Sequence, residues 1–249
     1  MKYLPSFFLL FLSFASYAQT ITIHDQNRDR HIPLTIHFPT KAEHCTRTQK
    51  CDVVLISAGY RVPYTKYLFI SQALNNAGYM TIAVDHELPH DPPLSRKGDL
   101  YQTRIENWKR GAETLSYLQK TLPDRFPSYN FDQLTFIGHS NGGDISTWLS
   151  LQDNNYVHQL ITFDHKRVAL PKTHQTRVLS IRAQEYPTKN GILPTASEQV
   201  EFESCVVDIP HSKHMDFTDY GTKDVMEKTD KIVLGFLKGL SCADLKRKS

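Results

Sequence analysis

The stretch FIGHSNGGD, residues 136–144, decides how this chain of 249 residues is read. It joins the apolar run "LTFI", a buried-strand pattern, to "GGDISTWLSLQ", whose apolar spacing is helical. Between them, Gly138, His139, Ser140, Asn141 and Gly142 form G-x-S-x-G. A serine on a sharp turn between strand and helix has a strained backbone and a projecting hydroxyl. Glycines two positions to either side let strand and helix pass closely, because neither has a Cβ to clash. As a bare five-residue pattern the motif is weak; between a strand and a helix it marks Ser140 as a candidate nucleophile.

Outward from this stretch the chain alternates strands with helices. Upstream, "TITIHD" and "IPLTIHF" read as strands, and "CDVVLISAG" and "YMTIAVDH" are continuous runs of the kind buried on both faces of a parallel sheet. "YTKYLFISQALNNAG", residues 64–78, has helical spacing and a C-terminal stop signal. Residues 87–100 are proline-rich and without apolar period, so they read as a long loop. From Ile105, the positions Trp108, Ala112, Leu115, Leu118 and Leu122 share one helix face. Downstream, "HQLITFDH", "TRVLSIRA" and "SCVVDIP" are strands, "TASEQVEF" a helix, and Val225, Thr229, Ile232, Val233, Phe236 and Leu240 fall at helical spacing. The expected fold class is α/β: a mostly parallel central sheet covered by helices on both faces.

On "GHSNGG", "LISAGY" and "HMDFTD", the chain resembles the α/β-hydrolase superfamily, and exported bacterial esterase- or lipase-like members in particular, over nearly all of its length after the first eighteen residues. That resemblance implies a triad in the order serine, acid, histidine. Ser140 matches the nucleophile, and "HMD" resembles the family's segment after the last strand, which implies His214 as base, with His211 the alternative. The segment "RVLSIRAQEYPTKNGILPT" resembles the acid-bearing strand and loop of some members, so Glu185, after the penultimate strand, is the expected acid. Members more often carry aspartate there. Asp164, one strand earlier, is the alternative acid; it also reads as a strand-end carboxylate paired with Lys166 or Arg167. The oxyanion donors are expected to be the backbone N–H groups of Tyr60, in "SAGYRVPY", and Asn141.

The pattern "HELPH", residues 86–90, matches the H-E-x-x-H of zinc proteases, which requires a helix. Here Pro89 lies inside it and Pro92 and Pro93 follow, so a loop at the sheet edge is expected instead. His86, Glu87 and His90, with His139, are candidates for lining the substrate site. No metal or organic cofactor is expected.

Four cysteines allow three pairings. The simplest joins Cys45 to Cys51 within one polar loop, and Cys205, at the start of the last strand, to Cys242. Residues 1–18 have the three-part pattern of a signal peptide: Lys2, an apolar run over 7–14, and a small-x-small site at Ser16, Tyr17 and Ala18. The expected mature chain is one domain, residues 19–249, secreted or periplasmic, with no stable membrane anchor. A formal net charge of +3 with scattered basic residues gives no reason to expect nucleic acid. The expected activity is cleavage of an ester or related acyl bond of a small molecule through an acyl-enzyme. The alternatives are a catalytically silent fold used for binding, or a peptidase or acyltransferase using the same triad. Oligomeric state is not legible.

Overall fold

The structure, a computed structural model, describes residues 18–152 and 154–249. Apart from Ala18, the expected signal peptide lies outside the described residues. Eight strands form one sheet: β1 (Ala18–Asp25), β2 (Arg30–His37), β3 (Cys51–Ser57), β4 (Met80–Val84), β5 (Tyr129–His139), β6 (Val157–Phe163), β7 (Arg177–Ala183) and β8 (Cys205–Ile209). Their spatial order is β1-β2-β4-β3-β5-β6-β7-β8. Strand β2 runs antiparallel to both its neighbours, and every pairing from β4 to β8 is parallel. The expected fold class is thus the observed one.

The apolar runs form the parallel strands because both their faces are covered. Along β3, Val53 and Leu55 pack into one cluster with Trp108, Leu115 and Leu118, while Val54 and Ile56 enter a second cluster on the opposite face. That alternation is the two-residue period of a strand buried on both sides. The first cluster lies under α2 (Ile105–Arg125) and α3 (Asn141–Ser150). The second lies under α1 (Leu68–Asn76) and α5 (Lys223–Leu237), through Ile70, Leu74, Ile232, Val233 and Phe236. Two short helices complete the chain, α4 (Ala196–Glu201) and α6 (Cys242–Lys246).

Three expectations shift in detail. Helix α1 starts at Leu68 rather than at residue 64, where the Asp219 carboxylate accepts the amides of Leu68 and Phe69 at 3.0 and 2.9 Å. An acidic group at a helix start satisfies donors that have no partner inside the helix. Leu240 lies beyond α5, past Gly239 in the left-handed region (φ 81°), and its amide donates back to the Gly235 carbonyl at 3.0 Å. No helix separates β6 from β7; residues 164–176 cross between them as a loop. The cysteines pair Cys45 with Cys51 and Cys205 with Cys242, the second bridge tying β8 to the start of α6. No helix among the described residues is long and apolar enough to cross a membrane.

The parallel strands all end at one edge of the sheet, and that edge gathers the candidate residues. Ser140 follows β5, Asp164 follows β6, Glu185 lies two residues past β7, and His211 and His214 follow β8. Tyr60 follows β3, and residues 86–90 follow β4. In open α/β sheets this carboxyl edge is where ligands bind.

Candidate active site

Ser140 sits at the junction of β5 and α3 with φ 52° and ψ −116°. Positive φ is strained for a residue with a Cβ and persists only where surrounding contacts enforce it. Here the contacts are backbone against backbone. A Cβ on Gly142 would lie 2.1 Å from the Ser57 carbonyl oxygen, and one on Gly138 would lie 2.3 Å from the Gly142 oxygen. The Ser140 amide donates to the Phe163 carbonyl at 2.9 Å, which fixes the turn to the end of β6. The side chain of Asn141 accepts from the Trp108 indole (3.0 Å) and donates to Asn107 (2.9 Å), locking the start of α3 to α2. Its backbone N–H, in the first turn of α3, has no carbonyl to meet within the helix.

His214 begins a short 3₁₀ turn, His214–Phe217, after β8. Its Nδ1 lies 2.5 Å from Asp164 Oδ2. Asp164 is fully buried and its other oxygen, Oδ1, accepts from Lys166 (2.9 Å) and from the Ala183 amide (3.3 Å) and is ion-paired with Arg182 (3.0 Å). Burial alone would raise this carboxyl; the bond to His214 and the two cations outweigh it and hold Asp164 below the usual carboxylate range. The carboxylate against His214 Nδ1 is therefore that of Asp164, the alternative candidate, rather than that of Glu185. The exposed Glu185 carboxylate instead accepts the His214 backbone N–H at 2.8 Å. The physical reason is strand order. β6 lies directly beside β5, so Asp164 is one strand from Ser140, and the loop after β8 folds back over β7 to reach it. The pairing of Asp164 with Lys166 is also present; Arg167 pairs with Asp144 instead, at 3.4 Å. His211 is exposed, and its backbone N–H donates to the Gln184 side chain at 3.0 Å.

Ser140 and His214 line the same pocket, of about 440 Å³. His139 does not line it. The ring is buried behind the turn, its Nδ1 2.9 Å from the Tyr67 hydroxyl and its Nε2 3.0 Å from the His214 carbonyl oxygen. A carbonyl only accepts, so Nε2 carries the proton and Nδ1 accepts from Tyr67. Burial holds this imidazole neutral, with its pKa pushed down to about 3. The Tyr67 oxygen also accepts the Gly59 N–H at 2.8 Å. Tyr67 thus joins the loop after β3 to the backbone of His214. Sequence reasoning missed Tyr67, since it lies in the turn leading into α1 with no motif to single it out.

The loop after β3 reaches the serine: a Cβ on Gly59 would lie 3.3 Å from the Ser140 Cβ. Tyr60 follows at once, beside the turn. His86 and Glu87 lie on a separate, smaller pocket with Gly59 and Arg61, and His90 is exposed. Residues 86–90 form no helix. His86 is buried against the Ser57 hydroxyl at 2.9 Å and pushed down to about 3 by burial. The half-buried Glu87 accepts the Arg61 N–H at 3.2 Å, and burial raises it to about 7. None of these three lines the Ser140 pocket.

The sequence matches no protein-family model and no curated relative. Solved structures are similar in fold. A Thermoplasma acidophilum protein described as a CIB-like hydrolase aligns with 91% of this chain and 100% of its own, at TM-score 0.62 and 18% identity. A protein of Klebsiella pneumoniae subsp. pneumoniae MGH 78578 described as a dienelactone hydrolase aligns with 90% of this chain and 99% of its own, at TM-score 0.60 and 15% identity. A longer Bacteroides ovatus ATCC 8483 protein described as a dipeptidyl aminopeptidase IV matches 90% of this chain over 36% of its own, at TM-score 0.60 and 14% identity. By its strand order, its strained serine turn and these likenesses, the chain has the α/β-hydrolase fold.

Proposed function

We propose that the protein is an exported serine hydrolase that cleaves an ester or related acyl bond of a small molecule, with Ser140 as nucleophile, His214 as base and Asp164 as orienting acid. The observation that carries this reading is the 2.5 Å contact from His214 Nδ1 to a buried, charged Asp164, in a histidine that shares its pocket with a strained serine. With Nδ1–H donated to Asp164, Nε2 is left to accept the Ser140 proton. Ser140 Oγ attacks the acyl carbonyl carbon as its proton passes to His214. The Tyr60 and Asn141 N–H groups receive the oxyanion. His214 then protonates the leaving alcohol as the ester C–O bond breaks. A water, deprotonated by His214, attacks the acyl-enzyme, and the acid leaves as Ser140 regains its proton.

Export rests on the pattern of residues 1–18 and accords with the two disulfides, which form in oxidising compartments. The chemistry is tested by treating the mature protein with a fluorophosphonate and mapping the adduct by mass spectrometry. The label is expected on the peptide carrying Ser140 and absent in Ser140→Ala. Labelling elsewhere, or none on folded protein, overturns the reading.

A further inference from the structure

The pocket that Ser140 and His214 share is lined by three cations, Lys166, Arg167 and Lys189, and by no carboxylate. The rest of its wall is largely apolar, including Leu100, Tyr101, Tyr186 and Ile192. The three cations are not equally engaged. Lys166 is held by Asp164 and by the Tyr186 carbonyl, each at 2.9 Å, so it serves the acid. Arg167 uses one guanidinium N–H, in the long 3.4 Å contact to Asp144. The exposed Lys189 side chain has no hydrogen bond or ion pair among the described residues.

A fourth cation stands beside this wall. Arg104, whose amide donates to the carbonyl of the pocket-lining Tyr101 at 3.3 Å, is only 7% exposed. Of its guanidinium, Nε alone is bonded, to the Ser95 carbonyl at 3.0 Å. Burial and the nearby Arg167 charge both press Arg104 toward losing its proton, and Asp144 opposes them. Asp144 has little to spare, because it is fully buried and also accepts the backbone amides of Arg167 and Val168 at 2.8 and 3.0 Å. Arg167 alone contacts this occupied carboxylate, and Arg104, with no carboxylate in contact among the described residues, adds its charge at the side of a pocket lined by Arg167 and Lys189. Low-dielectric walls focus such a field, and guanidinium forks match carboxylate and phosphate oxygens.

We infer that the substrate of this site carries an anionic group, a carboxylate or a phosphate, bound by Arg167 and Lys189 while its acyl carbonyl lies at Ser140. This rests on the serine-hydrolase reading above and narrows its substrate to anionic esters.

Two matched pairs of esters test it, with acid release followed in a pH-stat. Monomethyl adipate against methyl hexanoate places the charge in the acyl part. Butyryl glycerol phosphate against butyryl glycerol places it, as a phosphate, in the alcohol part. In at least one pair the charged ester is expected to have kcat/KM higher by about tenfold or more, the size of one charge-assisted hydrogen bond. Raising salt from about 0.05 to about 0.5 M should shrink that preference, since screening shortens the reach of surface charge. Lys189→Met and Arg167→Gln should each cut the charged-to-neutral ratio about fivefold or more. Equal or faster turnover of the neutral ester in both pairs, or a ratio unmoved in both variants, overturns the inference. A separate binding measurement keeps it distinct from the hydrolase reading. Calorimetry of Ser140→Ala with adipate and with glycerol phosphate should show binding that weakens in Ser140→Ala/Lys189→Met. If fluorophosphonate labelling fails while this binding holds, the anion site stands and the hydrolase reading falls. If labelling succeeds while neither anion binds nor is preferred as an ester, the reverse is true.

Discussion

The serine turn and the histidine loop meet in one pocket but are built by opposite means. The turn is encoded locally: two glycines and a positive φ fall within the five residues from Gly138 to Gly142, even where they accommodate backbone of β3. The histidine's setting is assembled from afar. His214 follows β8, the carboxylate it contacts follows β6, and the cations on that carboxylate come from the β6–β7 loop and from β7 itself. Fifty residues separate Asp164 from His214. A local device is read from consecutive residues, whereas an assembled one depends on strand order, which no short stretch encodes.

The sharpest way to break this contrast is at the acid. Asp164→Asn leaves Ser140 and its oxyanion donors in place but presents an amide to His214 Nδ1, favouring the wrong tautomer. Turnover is expected to fall on the order of 10⁴-fold. Glu185→Gln, which touches only the His214 backbone amide, should stay within about tenfold of wild type. Measuring kcat for both decides it. A collapse in Glu185→Gln with Asp164→Asn near wild type would return the role to Glu185.

That reversal between the two carboxylates shows what the sequence held and what it did not. The alternation of strands and helices, the parallel sheet and the Ser140 turn were all legible, because each follows from apolar period or from glycine at fixed offsets. The residues Trp108, Leu115 and Leu118, expected on one helix face, are all fully buried in one cluster. The acid was legible only as a pair of candidates. Resemblance favoured the position after β7, but it is Asp164, after β6, whose carboxylate meets His214 Nδ1. Tyr67 and the unbonded Nη groups of Arg104 carried no signal, since their importance lies in partners distant along the chain.

The local side of the contrast is tested at Gly142. A methyl there would sit 2.1 Å from one backbone oxygen and 2.5 Å from another, both at the end of β3, with no flexible side chain to yield. Gly142→Ala should destabilise the protein by more than about 3 kcal/mol or prevent folding, read from urea unfolding. A loss below about 1 kcal/mol would mean that the turn is less rigid than these contacts require.

Acid weakens both regions, but in different pH windows. His86, His139 and His165 are buried and neutral, each pushed down from 6.5 to about 3 by burial. The unfolded chain takes up these protons below about pH 6.5 and the folded chain does not. Stability is therefore full above that pH and declines as pH falls from about 6.5 toward about 3. Asp164 has a lowered folded pKa, so its contribution is present above its unfolded value of 3.8 and is lost only as pH falls below that. The melting temperature should accordingly drop between pH 7 and 5, before Asp164 titrates. His139→Gln should flatten part of that drop; a curve as steep as wild type would place the loss elsewhere.

The smallest expected effect concerns Tyr67, which braces both regions through His139. The Tyr67 hydroxyl accepts the Gly59 N–H and donates to His139 Nδ1, while His139 Nε2–H holds the His214 carbonyl. Tyr67→Phe keeps the ring and its packing but leaves one buried donor and one buried acceptor unpaired, at about 1–3 kcal/mol each. The loop that bears the Tyr60 amide and the loop that bears His214 would both loosen, without loss of any group that contacts substrate. The expected result is a fall of about tenfold in kcat with KM little changed, well short of the loss in Asp164→Asn. A lost packing contact alone would lower the melting temperature and leave kcat of the folded protein intact. The decisive measurement is a double-mutant cycle between Tyr67→Phe and His139→Gln on kcat. If the hydroxyl acts through the imidazole, the two losses should fail to add by at least about 0.5 kcal/mol. Strict additivity would mean that the turn and the histidine loop are positioned independently, and that the link between them is only structural.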